Sequence, residues 1–513
     1  MNISSGKGRI IMNSNSGRNV NSNNSPEDTQ RRTRERTIMN SRRNVNSNNS
    51  PEDTKRHTRE RIATNSRNHA ETLTLTVTGI NSEGTGISRT ESGVVFVHGA
   101  LPGEKVRARI VARKKDFAVA DTVSVDEASP GRVSTRCRYY GRCGGCQLQH
   151  AGYTTQLQLK AGIVRDAMTR IGGFDPEIFA GLTCEPSPES WGYRNKAAFP
   201  VQDMAGRIVT GFYRAGTHRL ELIRTCPVNA KRLNEMYTKI LDGLTQNHYP
   251  FDGYSEATHT GKLRHIITRT GMNTGESLLS FVVNGKLSAK SVKSLASLGN
   301  LARPDTLTVN HNSKPGNVIL GSYTESLTGT GTISERLGEY RLMFDTASFF
   351  QVNTGQAEKL FSYAAMMAGD ARNILELYSG AGSLTCWLAG NAVNVTSVEE
   401  YRGAVKMAVR NLEANNLGNV RALCGRSEEV IADLRDSYDA VVLDPPRDGC
   451  DRAVLEAVCD FGVRRVVYVS CNPATLARDC RVLAGKGYRL EGVRAFDMFP
   501  QTAHVESVAV MVR

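Results

Sequence analysis

A chain of 513 residues has room for several domains and a sizeable core, which excludes a small stapled scaffold. Its formal net charge of +14 favours a polyanionic partner such as nucleic acid. There is neither an 18-residue apolar run nor an apolar N-terminal stretch, so no membrane partner is expected, and the eleven cysteines read as reduced thiols of a soluble, cytoplasmic, monomeric protein.

Residues 1–70 hold 14 Lys/Arg against 6 Asp/Glu, so the tail carries most of the charge excess. The stretch at 19–37 recurs almost unchanged at 44–62, but both copies are Asn/Ser/Arg-rich with almost nothing apolar to bury. A disordered basic tail is therefore expected rather than a folded repeat. Its six acidic residues count against an organelle transit peptide.

Strict alternation begins at "TLTLTVT" (72–78), and "GVVFVHG" (93–99), "EKVRARIVARKK" (104–115) and "FAVADTVSV" (117–125) follow between Gly/Pro turns. Four short strands over 71–130 predict a small barrel of OB type. Lys105, Arg107, Arg109, Arg113 and Lys115 occupy odd positions, which puts them on one strand face with Val106, Ala108 and Ile110 behind. No acidic residue shares that face, so it reads as an RNA-tracking surface; an ordinary solvated face is the competing reading.

A region of 131–345 with mixed α+β character opens on "TRCRYYGRCGGCQLQH", in which Cys137, Cys143 and Cys146 form C-x5-C-x2-C. Clustered cysteines in a reducing compartment suggest a metal site. Cys226 of "RTCPVN" is the preferred fourth ligand because Cys-Pro recurs at cluster ligands, with Cys184 as the alternative. Zinc on four thiolates and unligated thiols are the rival readings.

From 346 onward strand-like and helical runs alternate, predicting a doubly wound, Rossmann-like sheet. "ILELYSGAGSLT" (374–385) is a strand entering a Gly380-x-Gly382 turn, with Thr385 where a dinucleotide fingerprint has its third glycine. Glu399 stands 17 residues after Gly382, at the end of the next strand, where a carboxylate can accept from both ribose hydroxyls. "LDPPRDG" (443–449) places Asp444 at the same carboxyl edge. Together these resemble class I S-adenosylmethionine methyltransferases.

In "RRVVYVSCNPATLARDC" (464–480) Cys471 ends an apolar strand, and Asn472-Pro473 is a helix start. A helix N-terminus is expected to lower the thiol pKa and ready it as a nucleophile. A thiolate adding to uracil C6 makes C5 nucleophilic, and the C5 proton then needs a base. Glu506 supplies it, with His504 as a competitor.

"SCNP", "DPPRDG", "FFQVN" (349–353) and "DMFPQTAHVES" (497–507) resemble the RNA uracil-5-methyltransferase family over residues 72–513. The resemblance implies Cys471 as nucleophile, Glu506 as base, and Gln351, Tyr378, Glu399 and Asp444 as cofactor contacts. Ser379 stands where the family usually has cysteine. It further implies a TRAM-like barrel, a central domain with a [4Fe–4S] cluster on Cys137, Cys143, Cys146 and Cys226, and a catalytic domain at 346–513. "GYRNKAAFPV" (192–201) resembles a segment near the RNA, making Arg194 and Lys196 candidate contacts, and Phe349 or Phe350 is placed to stack on a base or fill the core. Barrel plus cluster resembles the branch acting on 23S rRNA, with tRNA as the alternative substrate. An adenine N6-methyltransferase, which would want an aromatic at Arg447, and a non-catalytic RNA-binding or ribosome-assembly protein are the rivals.

Overall fold

The computed structural model describes residues 71–513; the basic tail, its near-repeat included, lies outside the described residues. Strands Thr72–Thr76, Gly79–Ile80, Gly86–Thr90, Gly93–His98, Lys105–Arg113 and Phe117–Glu127 form one curled sheet around Leu75, Val77, Val97, Val106 and Ala120. Two more strands form than alternation predicts. Gly79–Ile80 is only two residues long, and Gly86–Thr90 turns Ser88 inward, so neither carries an apolar period to detect.

The basic residues of Lys105–Arg113 do share the exposed face of their strand. The face is not free of acid, however, because neighbouring chain supplies it. Lys105 pairs with Glu127 at 3.3 Å, Arg107 with Asp126 at 3.5 Å, and Arg113 with Glu71. Lys115 lies beyond the end of the strand.

A second six-stranded sheet orders Tyr323–Thr328, Thr306–His311, Ser277–Val283, Leu263–Thr270, Lys196–Met204 and Arg207–Thr210. Helices Lys231–Gln246 and Ala289–Asn300 share its core of Phe199, Tyr237, Phe281 and Leu295. Phe199 and Tyr237 stack with ring centroids 3.7 Å apart.

The third sheet runs Val420–Cys424, Asn394–Glu399, Asn373–Leu377, Ala440–Leu443, Arg465–Ser470, Glu506–Val512, Arg489–Phe496, Cys184–Glu185. Its first five strands are parallel, and Glu506–Val512 is antiparallel to Arg465–Ser470. Helices on both faces bury these strands, which is why they read as apolar runs such as "AVVL" and "RVVYVS".

The stretch expected to be one central region, 131–345, is divided between two sheets. Helix Tyr153–Arg170 packs on helix Pro473–Gly485, and Cys184–Glu185 forms the edge of the third sheet. Apolar periodicity marks Ile163, Val164 and Met168 as an inward face but does not say which sheet that face covers. No helix of the described residues is long and apolar enough to cross a membrane.

Candidate active site

Strands Asn373–Leu377, Asn394–Glu399, Ala440–Leu443 and Arg465–Ser470 end at one edge of the sheet, delivering Tyr378, Glu399, Asp444 and Cys471 there. Glu506–Val512 begins at the same edge because Ser507 pairs with Ser470, so buried Glu506 arrives beside Cys471. In open α/β sheets this edge is where ligands bind.

The glycine turn is open. Gly380 and Gly382 take φ of +58° and +80°, and a Cβ on Gly380 would meet nothing within 4 Å. Helix Ser383–Asn391 follows at once. Glu399 accepts from the Gly380 amide at 2.9 Å and from the Tyr401 amide at 2.7 Å, one on each oxygen. Each oxygen retains a lone pair for a diol. Tyr378 has a left-handed φ of +65°, and its side chain turns toward Cys450 and Ser427 with the hydroxyl buried and unpartnered. It therefore offers the turn its backbone, not its phenol.

Gln351 is buried and held from the central sheet. Asn195 Nδ2 donates to Gln351 O and to Thr354 Oγ1, both at 3.0 Å, and the Asn195 amide donates to Val352 O at 2.8 Å. The two phenylalanines separate: Phe350 is 4% exposed and stacks on Phe344, whereas Phe349 is 68% exposed. Arg194 donates to Lys196 O at 2.9 Å. Burial, and then the Arg269 charge, push half-buried Lys196 down to about 7.

Asn472 caps helix Pro473–Gly485 by accepting from the Ala474 amide at 3.1 Å, as the sequence predicts. The expected lowering of the Cys471 pKa is not found. Burial, then the Glu506 charge, push the thiol up to about 11, with Arg447 opposing and Asp444 adding. Cys471 precedes the N-cap and so lies outside the first turn, where the dipole acts most strongly. Burial likewise raises Asp444 to about 7, and raises Glu506 well above the carboxylate range with Asp444 adding to it.

Arg447 lies beside Cys471 and Glu506 and lowers the pKa of both. Its carbonyl accepts from Asn472 Nδ2 at 2.9 Å and Thr475 Oγ1 at 3.2 Å, tying the loop after Asp444 to the helix after Cys471. Its guanidinium lies 3.3 Å from His504 Nδ1. Burial, and then the Arg447, Lys160 and Arg194 charges, lower the His504 pKa. Cys471, Arg447 and His504 open on one cavity of about 350 Å³, ample for a nucleoside. A hollow of about 420 Å³ along Lys290 and Lys293 shares no lining residue with it.

The family profile described as tRNA (uracil-5-)-methyltransferase matches residues 152–513, and that of the TRAM domain matches 66–123. The chain belongs to the tRNA (uracil-5-)-methyltransferase family. It is accordingly an S-adenosylmethionine-dependent RNA methyltransferase with a TRAM barrel. It is 39% identical over 448 residues to an uncharacterized RNA methyltransferase of Gloeobacter violaceus, covering 86% of this chain and 97% of that protein. A second, from Thermosynechococcus vestitus, is 37% identical over 444 residues, covering 86% and 98%. Among solved structures, the Pyrococcus abyssi tRNA (uracil-54, C5)-methyltransferase in complex with S-adenosyl-L-homocysteine superimposes with a TM-score of 0.69. It is 28% identical and covers 86% of this chain and all of that one. Membership in this family sets aside the adenine-amine and non-catalytic rivals.

Cys137, Cys143, Cys146 and Cys226 are the four cysteines expected to share a site. Burial raises the Cys143 thiol to about 11 and the Cys146 thiol to about 12, and charge on Cys137 or Cys226 would raise either further. Hydrogen bonding from the Gly145 backbone opposes the rise at Cys143, and from the Val228 and Asn229 backbone at Cys226. Cys184 is elsewhere, on the third sheet beside Asp497 and Lys160, so it does not complete the set. All eleven thiols are free, and among the described residues no group of three or more His, Cys, Asp or Glu is spaced to hold a metal ion. Four thiols are the donor set that an iron–sulfur cluster takes, but these thiols are not spaced to hold one.

Sequence reasoning missed Glu376. It is buried in the first strand beside Asp444 and Glu399, and burial raises it to about 8. A lone acid at an inward position of "NILEL" was the available signal.

Proposed function

We propose that this enzyme forms 5-methyluridine in RNA through a covalent bond between Cys471 and uracil C6. The observation that carries the reading is the meeting of Cys471, Glu506 and Asp444 at one strand edge, with Arg447 beside Cys471 and Glu506. Cys471, which lines the open cavity, gives its proton to water as the base enters, and the thiolate Sγ adds to C6 while the C5–C6 π pair moves to C5 and the C4 carbonyl. Bound S-adenosylmethionine supplies the electrophilic methyl group that C5 takes up. Glu506, once ionised, removes the C5 proton; those electrons rebuild the C5–C6 double bond and expel the thiolate. Arg447 favours the anionic forms of both residues. Glu399 takes the ribose diol, and Gln351, Asp444 and the Tyr378 backbone complete the cofactor site. Phe349, exposed beside Gln351 in the chain, is the stacking platform for a base.

We further propose that Cys137, Cys143, Cys146 and Cys226 hold a [4Fe–4S] cluster, a reading supported by the C-x5-C-x2-C motif and by the proline after Cys226. Its place is structural: the amides of Gln147 and Leu148, next to Cys146, donate to Gln501 O at 3.1 and 2.9 Å, five residues before Glu506.

For substrate we favour 23S rRNA, from the combination of barrel and cysteine site. A specific observation supports tRNA as the second reading: the Pyrococcus abyssi enzyme, named for uracil-54 of tRNA, is matched over its whole length. Mass spectrometry of 5-methyluridine, after separate incubation with unmodified 23S rRNA and tRNA transcripts, tests both. Product on rRNA alone supports the first reading, and on tRNA alone the second. Product on neither overturns the uracil-C5 assignment.

A further inference from the structure

The TRAM barrel reaches into the catalytic cavity. Ser82 and Glu83, in the loop between Gly79–Ile80 and Gly86–Thr90, line the same cavity as Cys471, Arg447 and His504. The loop is built to hold that tip. Asn81 Oδ1 accepts from the amides of Glu83 at 3.0 Å and Thr85 at 2.8 Å, and Gly84 donates to Asn81 O at 3.0 Å. Gly84 sits at φ +77°, where a Cβ would fall 2.9 Å from the Cβ atoms of both Ala503 and Gln147. Ala503 precedes Glu506 by three residues, and Gln147 belongs to the cysteine loop. Barrel tip, cysteine loop and the approach to Glu506 thus make one wall.

That wall carries an unexpected charge. Among the cavity-lining residues Glu83 is the one acid, in an enzyme whose substrate is a polyanion. A carboxylate repels phosphate, so its use lies with a base edge that offers N–H. Uracil has a single such donor, N3–H, placed across the ring from C6. Cytosine presents a lone pair at that position.

We propose that Glu83 is a specificity-determining residue, its carboxylate accepting N3–H of the uracil whose C6 meets Cys471. The proposal rests on the uracil-C5 reading above. It makes the barrel part of base selection at the reacting nucleotide, through an acceptor that a cytosine N3 cannot satisfy.

The test uses the full-length protein, S-adenosylmethionine and one RNA that the wild type methylates, made with either uridine or 3-methyluridine at the target position. Wild type is expected to discriminate strongly against 3-methyluridine. Glu83→Ala is expected to lose about 10- to 100-fold in kcat/KM on the uridine RNA and little on the 3-methyluridine RNA, so the ratio collapses. Glu83→Gln keeps an acceptor oxygen and should retain most of the discrimination. Unchanged kinetics in Glu83→Ala, or equal losses on both RNAs, overturns the proposal, since a folding or general RNA-binding defect would not alter the ratio. A wild type that makes no 5-methyluridine on any RNA overturns the uracil reading and this proposal with it, an outcome visible before any variant is made.

Discussion

Ser507 is the cross-strand partner of Ser470, and that single register brings Glu506 and Cys471 to one spot. A slip of one residue would turn Glu506 to the other face of the sheet. The pairing gives the two residues separable roles in the proposed reaction. Cys471→Ala should abolish both methylation and any covalent protein–RNA species. Glu506→Gln should slow turnover by about 10²–10⁴-fold, because C5 methylation can proceed while removal of the C5 proton cannot. The methylated base then stays bonded to Cys471, and a retarded protein–RNA band on a denaturing gel reports it. Full turnover in Glu506→Gln, with no such band, would remove Glu506 from the base role.

Burial raises the pKa of both Cys471 and Glu506, which sets the sign of the pH dependence. Burial and the Glu506 charge hold the Cys471 thiol up at about 11, and Glu506 is itself raised. Both must lose protons before the reaction can run. kcat/KM should therefore rise with pH from about 6 to about 9, by up to about tenfold per unit while the thiolate fraction limits the rate. Asp444 ionises within that range, near 7, and its charge tempers the rise by raising Cys471 further. Arg447 is the cation opposing Cys471 and Glu506, with the His504 imidazole 3.3 Å from its guanidinium. Arg447→Ala should shift the profile to higher pH, and Arg447→Lys should shift it less. A profile left in place by Arg447→Ala would show that another group compensates the two anions.

Glu399 combines two tasks that one substitution separates from catalysis. Its carboxylate caps the Gly380 and Tyr401 amides, and in the proposed cofactor site its remaining lone pairs take the ribose diol. Glu399→Ala removes the diol acceptor and leaves two amides unpaired. Affinity for S-adenosylmethionine, measured by calorimetry, should fall about 10- to 100-fold, with Glu399→Gln intermediate because its oxygen still accepts from one amide. Unaltered affinity in Glu399→Ala would place the ribose elsewhere.

Much of the site was legible because strand ends advertise themselves: Glu399, Asp444 and Cys471 each follow an apolar run and precede a turn or cap. What stayed hidden depends on contacts far apart in sequence. The basic face of Lys105–Arg113 is partly neutralised by Glu71, Asp126 and Glu127, which no reading of that strand alone reveals. The thiol of Cys471 was expected to be acidic from the helix that follows it, but helix position is a local cue, and burial with Glu506 is a tertiary one. Tyr378 carries the left-handed φ that a reader assigns to glycine, so its side chain points away from the turn. Helix Tyr153–Arg170 shows its apolar stripe plainly, yet its partner helix begins more than 300 residues downstream.

The cysteine site yields the sharpest contrast between two otherwise similar substitutions. Cys226 lies in the same central region as Cys137, Cys143 and Cys146, and burial raises its thiol. Cys184 is more deeply buried, on a sheet edge among Asp497, Lys160 and Glu185. If four thiolates hold a cluster, Cys226→Ala should lose iron and acid-labile sulfide together with the brown colour of anaerobically purified protein. The melting temperature should fall as well, since metal bound only by the folded state stabilises it. Cys184→Ala should keep the iron and the colour, and lose only the stability expected of one buried sulfur. The amides of Gln147 and Leu148 on Gln501 then predict a second effect in Cys226→Ala: faster hydrogen exchange across 499–506, the segment that carries Glu506. A wild type that contains zinc and no iron would replace the cluster with a four-thiolate zinc site while leaving the contrast between the two cysteines intact. Iron retained in Cys226→Ala would remove Cys226 from the ligand set altogether.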